Sequence, residues 1–312
     1  MKRDRKWLLI GLLAVPLLAM FVVALAFPYL AVNAPSGASV AVVEGWIPKE
    51  HIPAVEDVID SLGYERIYVT GTIRPCSYTL RIRDTLVLDL THERSGELVV
   101  NACGSRGAGF VVMDGEGVLL EDSVADECQP YRTTLDRRVG QVLITPSFKG
   151  RVQEEWELLY LASVTLDGTN LHALQRNTII HRQEGSVESG TPTYADVAVA
   201  ELLRCGHDPQ AIIPLRTLNA GESRTWANAK LFALRASRDG IKKVDVISFG
   251  IHARRSRVTY RTACGAGVQV GVVSIPDPEV GPGFWWHNVK GWIKVLKELG
   301  GVPSSYLVDG LE

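Results

Sequence analysis

The chain has no surplus of charge of either sign. Its 312 residues carry 33 Lys and Arg against 35 Asp and Glu, a formal net charge of −2. That balance argues against a nucleic-acid partner, which usually meets a basic surface field. Cysteine is scarce: five in all, too few for a dense disulfide framework, and the odd count leaves at least one thiol without a partner in its own chain. Several enzyme signatures are also missing. There is no G-x-G-x-x-G for a dinucleotide, no G-x-S-x-G around a nucleophilic serine, and no H-E-x-x-H or other metal-ligand spacing among the seven histidines. No cofactor or catalytic metal is therefore expected in the main site, and a nucleotide-type ligand such as S-adenosylmethionine ranks last.

What is present points to a globular protein with a substantial core: 46% hydrophobic and 22% charged residues. The length suits an anchor plus two domains. Residues 1–6 are basic, and Trp7 to Val32 is apolar apart from Pro16 and Pro28. At 1.5 Å per residue that run exceeds a hydrocarbon core of about 30 Å. The expectation is a single-pass anchor over residues 1–33, with the bilayer as partner through residues 7–32. The positive flank places the N-terminus in the cytoplasm and the bulk of the chain outside, periplasmic or extracellular. A cleaved signal peptide is the rival reading, though its apolar region is normally shorter. Cys103 and Cys128 are the preferred disulfide pair, with Cys76 able to replace either.

The rhythm of the sequence changes twice. Ser39–Glu44 reads as a buried strand, Ile52–Leu62 as a helix closed by Gly63, and Arg66–Gly71 as a second strand, a β-α-β opening that signals a parallel sheet. From Ile73 to Gly190 extended runs dominate, with turn signals at Asp114-Gly115 and Asp167-Gly168. Strands at this spacing suggest a β-sandwich or jelly-roll domain. Helix–strand alternation resumes at Tyr194 and ends in a Trp-rich helix over about 285–299. There Trp285, Val289, Trp292, Ile293 and Leu296 share a stripe expected to face the sheet, a membrane-interface role being the alternative.

The most informative stretch is Val244-Asp-Val-Ile-Ser-Phe-Gly-Ile-His-Ala-Arg-Arg-Ser-Arg257. An apolar β-branched run ends in Ser-Phe-Gly and passes at once into a His and three Arg at a helix start. Helix starts present unpaired N–H groups and partial positive charge, so His252, Arg254 and Arg255 form a candidate anion site. In parallel sheets ligands lie beyond the carboxyl ends of the strands. Glu44 and Gly45, Gly71, and the segment before the helix at Thr225 end their elements at that edge. They add a carboxylate, the hydroxyls of Ser223 and Thr225, and the Asn228 amide. Glu44 and His252 are the candidates for acid–base work. The same groups also have plain structural uses: Ser223 as a helix cap, Glu44 as a cap or a partner of Arg254.

The segments VVEGWIP, YVTG, TYADVAVAELL, ESRTWANA and SFGIHARRSRVTYRTACG resemble the SanA/ElyC/YdcF-like envelope proteins. The resemblance covers residues 38–72 and 191–300. It implies a Rossmann-like αβα domain, usually membrane-anchored and facing outward, linked to envelope or peptidoglycan-precursor maintenance without a settled reaction. It implies a pocket of Glu44, Gly45, Gly71, Ser223, Thr225, Asn228, His252, Arg254 and Arg255. Two features depart from the family pattern. Ser223-Arg-Thr-Trp-Ala-Asn228 lacks the inner Asn of S-x-N-T-x-x-N, and typical members have no β insertion. That insertion somewhat resembles calcium-dependent xylan-binding modules, which would make Tyr78, Tyr131, Trp156 and Tyr160 sugar platforms and Asp114, Glu116 and Asp167 calcium ligands.

The expectation is thus an α/β protein: a Rossmann-like three-layer αβα parallel sheet over 38–72 and 191–312, an inserted all-β sandwich over 73–190, and an N-terminal transmembrane helix. Its expected role is to bind a phosphorylated, lipid-linked glycan intermediate of the envelope, with phosphoester hydrolysis or transfer as the candidate chemistry. The alternative is a non-catalytic polysaccharide-binding protein that acts through the β insertion, with calcium as its candidate cofactor.

Overall fold

A computed structural model describes residues 20–21, 23–149, 158–218 and 223–307. The chain divides into two compact units, one of residues 1–71 with 197–312 and one of residues 72–196.

The first unit is built on a five-stranded sheet. Strand β1 (Val40–Glu44) pairs in parallel with β2 (Arg66–Thr72) on one side and with β13 (Lys243–Phe249) on the other. Strand β14 (Gln269–Ile275) continues in parallel beyond β13, and β12 (Ile212–Thr217) flanks β2, for the order β12-β2-β1-β13-β14. The order reverses between β1 and β13. Connections therefore leave to opposite sides there and open a crevice at the carboxyl ends of those two strands.

Local chemistry explains the flanking helices. Helix α1 (Ile52–Leu62) has a proline in its first turn and ends at Gly63, which adopts φ 66° and donates to Asp60 and Ile59 carbonyls. Its Ile52, Val55 and Ile59 are buried at helical spacing, each contributing about 1.5–3 kcal/mol. Helices α4 (Arg224–Arg238) and α5 (Ala253–Cys264) cover one sheet face. Phe232 and Tyr260 pack there against Val42, Tyr68, Val244, Val246, Val270 and Val272. Residues 34–36 cross β14, where Ala34 bridges to Val272 and Ser36 N–H donates to buried Asp245 at 2.6 Å. Gly271 is required beneath this strap, because a Cβ would collide with the Asp245 carboxylate.

The second unit is one antiparallel sheet. Strands β4 (Thr85–Gly104) and β7 (Gln129–Phe148) are each 20 residues long and pair along most of their length, with register shifts between Asp89 and Gly96. Strands β5 (Ala108–Met113) and β6 (Val118–Ser123) extend it on one side. On the other side lie β10 (Gln175–His181) and β11 (Val187–Ser189). Strands β3 (Tyr78–Arg81), β8 (Leu158–Leu166) and β9 (Thr169–Asn170) join through β4–β8 pairing. A four-residue helix α2 (Leu171–Leu174) links β9 to β10. The sheet curls around Leu86, Leu98, Phe110, Val142, Leu161 and neighbours. A disulfide joins Cys103 to Cys128 where β4 ends and β7 begins. Helix α3 (Tyr194–Arg204) starts at a reciprocal cap: the Thr193 N–H and hydroxyl donate to Asp196, and the Asp196 N–H returns to Thr193.

Three expectations are corrected. The inserted unit is not a two-sheet sandwich: all its strands belong to one nine-stranded sheet, because β4 and β7 run through both halves and never break into separate layers. The transmembrane helix is not found: among the described residues no helix is long and apolar enough to cross a membrane. The described end of that apolar run is helical over 23–30 and buries Ala26 and Leu30 against Ile251, Trp285, Val295 and Val302. Residues 1–19 and 22 of the expected span lie outside the described residues. Third, the expected C-terminal stripe is split: Trp285 is buried and Trp292 packs against it, but the aliphatic members of the stripe do not face the core. Helix α6 (Val289–Leu307) begins only after a 3-10 turn at Trp285–His287, so Trp285 is out of phase with it. Val295 and Val302 face inward, and Val289, Ile293 and Leu296 face solvent.

Candidate functional site

The crevice between β1 and β13 gathers a group of buried polar side chains. The local backbone accounts for their placement. At the end of β13, Gly250 adopts φ +53°, a conformation that favours glycine. An added Cβ there would also stand 2.8 Å from the Cβ of Asp277. This turn, whose Gly250 carbonyl accepts from Ser274 Oγ at 2.9 Å, carries the chain through a 3-10 turn into α5. His252 is thereby set at the helix start, buried, at the carboxyl edge of the sheet.

His252 is held on both ring nitrogens. Nδ1 lies 3.1 Å from Glu298 Oε2 of α6, and Nε2 lies 3.4 Å from the hydroxyl of Thr225 in the first turn of α4. Trp46 meets the imidazole edge-on with ring centroids 4.9 Å apart. Arg255 donates to both oxygens of Glu298, at 2.8 and 3.0 Å, and its Nη2 also lies 2.8 Å from His252 Nδ1. Burial works to raise the Glu298 carboxyl, but the hydrogen bond and charge of His252, with those of Arg255, outweigh it and hold the group below its ordinary value. A guanidinium only donates. Glu298 therefore favours a proton on Nδ1, whereas Arg255 favours a lone pair there. With the proton on Nδ1, Nε2 accepts; with the lone pair on Nδ1, Nε2 donates.

Glu44 lies at the end of β1 and is fully buried. Its Oε2 accepts from Ser256 Oγ at 2.7 Å, and Ser256 Oγ is 3.1 Å from Ser248 Oγ. Its Oε1 has no hydrogen-bond partner among the described residues. Beside it the Thr70 hydroxyl pairs with Tyr260 Oη at 2.9 Å. Burial, then the charge of Glu44, pushes the Tyr260 phenol well above its usual value, so it stays protonated. Ser256 lies one helical turn beyond His252, which puts the two polar centres on one face of α5.

The remaining candidate residues are placed as follows. Gly45 N–H donates to Thr70 O at 2.7 Å and extends the β1–β2 pairing, while Ile47 N–H donates to Glu44 O at 3.0 Å and closes the turn that presents Trp46. Gly71 is a buried β2 residue. Ser223 caps α4 by position, but its hydroxyl makes no capping bond. The Asn228 amide oxygen accepts from the Thr217 hydroxyl at 2.9 Å and is tied to β12. Arg255 is committed to Glu298. Arg254 points away from its neighbour: its Nε donates to the Tyr29 carbonyl, and its guanidinium stacks over the Tyr29 ring at 3.9 Å. The structure thus joins His252 with Thr225 and Arg255, and Glu44 with Ser256.

Sequence reading missed Glu298, Ser256, Ser248 and Tyr260 as site members. Ser256 had a signal, its i+4 spacing from His252. Glu298 had none, being one acid in a Lys-rich helix.

In the β unit, Tyr78 and Tyr131 are buried and Tyr160 is exposed, while Trp156 lies outside the described residues. Asp114 is engaged twice by Arg137 and accepts from Glu116 and Gly117 N–H, and Asp167 accepts from Glu97 N–H. Glu116 is exposed and also pairs with Arg137. Among the described residues no cluster of His, Cys, Asp or Glu is arranged to hold a metal ion.

Comparison with protein-family models and with curated proteins found no match to this chain.

Proposed function

We propose that the α/β unit binds a phosphorylated envelope intermediate, of the lipid-linked glycan class, and hydrolyses or transfers its phosphoester. His252 carries the proton. One observation carries the reading: at the point where strand order reverses, a buried imidazole is clasped between a carboxylate on Nδ1 and a hydroxyl on Nε2. That is the arrangement by which a base is oriented and its imidazolium stabilised.

In the reaction, Nε2 takes a proton from the attacking water or acceptor hydroxyl as its oxygen bonds to phosphorus. The proton then goes to the leaving oxygen as the P–O bond breaks. Glu298 stabilises the imidazolium in between, and Arg255 keeps Glu298 ionised. The start of α4, where the Ser223 hydroxyl makes no capping bond, supplies N–H groups for the phosphoryl oxygens. Glu44 Oε1 offers a buried acceptor for a substrate hydroxyl. The resemblance of VVEGWIP and HARRSR to SanA/ElyC/YdcF-like proteins supports an envelope substrate. The Cys103–Cys128 disulfide supports an oxidising, outward location.

The test is release of inorganic phosphate by the purified full chain from undecaprenyl phosphate and pyrophosphate analogues. The expected result is turnover that His252→Ala reduces by roughly 10²-fold or more. Absence of turnover and of ligand-induced thermal stabilisation across those substrates would overturn the reading.

A further inference from the structure

We propose that the α/β unit docks on an anionic phospholipid surface, using the outer stripe of α6 for acyl contact and an arginine-lined cavity on α5 for the lipid phosphate. Helix α6 is apolar on two faces. Val295 and Val302 enter the core with Trp285, whereas Val289, Ile293 and Leu296 stand 74, 61 and 58% exposed. Their 4- and 3-residue spacing makes one continuous ridge, and exposed Lys290 and Lys297 run along one side of it. An apolar ridge bordered by lysines is the pattern of a helix that lies in a bilayer interface.

The packing brings a second apolar surface to α6. Residues 23–30 bury Ala26 and Leu30 in the same cluster as Trp285 and Val295, and leave Leu25 and Tyr29 exposed. Tyr29 then leads to the charge, because Arg254 stacks on its ring. Arg254, Arg257 and Arg261 line a cavity of about 490 Å³ floored by Val258, Gly265 and Ala266. Arg257 donates to the Val270 carbonyl, and none of the three arginines meets a carboxylate among the described residues. Three uncompensated guanidinium groups on one helix face select a phosphate-bearing ligand. The apolar ridge beside them selects a phosphate that comes with acyl chains.

The two surfaces share a helix pair with the candidate site. Glu298, which holds His252, lies two residues beyond Leu296, and Arg255 lies between Arg254 and Arg257. Docking would hold the crevice at the bilayer surface, where a lipid-linked phosphoester presents its head group.

The test uses the full chain in vesicles with photoactivatable phosphatidylglycerol or photoactivatable phosphatidylcholine, and maps the crosslinked residues by mass spectrometry. Because residues 7–32 are apolar enough to meet lipid unaided, the position of labelling is the readout. Labelling of 289–296 by phosphatidylglycerol is expected, reduced roughly tenfold in Arg257→Gln/Arg261→Gln. Added inorganic phosphate should leave it unchanged. His252→Ala should also leave it unchanged, so failure of the catalytic reading shows separately. Labelling confined to 1–32, equal labelling by both lipids, loss on addition of inorganic phosphate, or protein–protein crosslinks through 289–296 would each overturn the proposal.

Discussion

Glu298 and His252, 46 residues apart in sequence, meet at 3.1 Å between Oε2 and Nδ1, with Arg255 closing the triangle on the same carboxylate. The pair connects the C-terminal helix to the turn after β13, so the candidate chemistry depends on a segment whose sequence alone carries no catalytic signal. Glu298→Gln keeps the shape and removes the charge. The expected outcome is a phosphate-release rate lowered by 10- to 100-fold, about 1.4–2.7 kcal/mol. Glu298→Ala should lower it further, because Arg255 then loses its acceptor and stands beside the imidazole.

Ser256→Ala tests the second polar centre. The serine hydroxyl is the donor to the fully buried Glu44 carboxylate, whose other oxygen is already unpaired. Its removal should destabilise the protein by about 1–3 kcal/mol. Thermal or urea unfolding checks this, with Ser256→Thr as the variant that restores the donor.

How much of this was legible beforehand follows from what each signal rests on. The α1 boundaries were readable because Gly63 and the early proline act through local backbone geometry. The strand ends at Glu44 and Phe249 were readable because β-branched runs stop at glycine turns. The phase of α6 was not: Val289, Ile293 and Leu296 fit a helical stripe, but so do Trp292, Val295 and Val302, and only packing against 23–30 and Trp285 selects between them. The sandwich expectation failed for a similar reason. Turn residues mark where strands end, and β4 and β7 pass through their exposed middle, Thr91–Glu97 in β4, without ending. Contacts such as Glu298 with His252 are set by tertiary distance, which no spacing rule records.

Gly250→Ala should destabilise the turn that presents His252. The substitution meets a positive φ and the nearby Asp277 Cβ together, a cost of about 1–3 kcal/mol. The expected outcome is a lowered melting temperature with a larger proportional loss of activity, measured on the same preparation.

The β unit should lose stability in mild acid. His172 Nδ1 donates to the Arg74 carbonyl at 3.1 Å, which leaves Nε2 to accept from the Tyr78 hydroxyl at 2.8 Å, and burial depresses the imidazole to about 4. A buried neutral histidine binds fewer protons than the unfolded chain between its ordinary value of about 6.5 and 4. Stability is therefore complete above that window and falls as pH drops through it, by roughly 3 kcal/mol in the limit. Unfolding of the intact chain followed from pH 7 to pH 4 should show this slope, and His172→Gln should flatten it.

The central claim is tested most directly by the pH dependence of phosphate release from an undecaprenyl pyrophosphate analogue, measured for the wild-type chain and His252→Ala side by side. The expected result is that His252→Ala lowers the rate by roughly 10²-fold or more and no longer shows the wild-type pH dependence. A variant with wild-type rate and an unchanged profile would contradict it, and would move the chemistry away from the β1–β13 crevice.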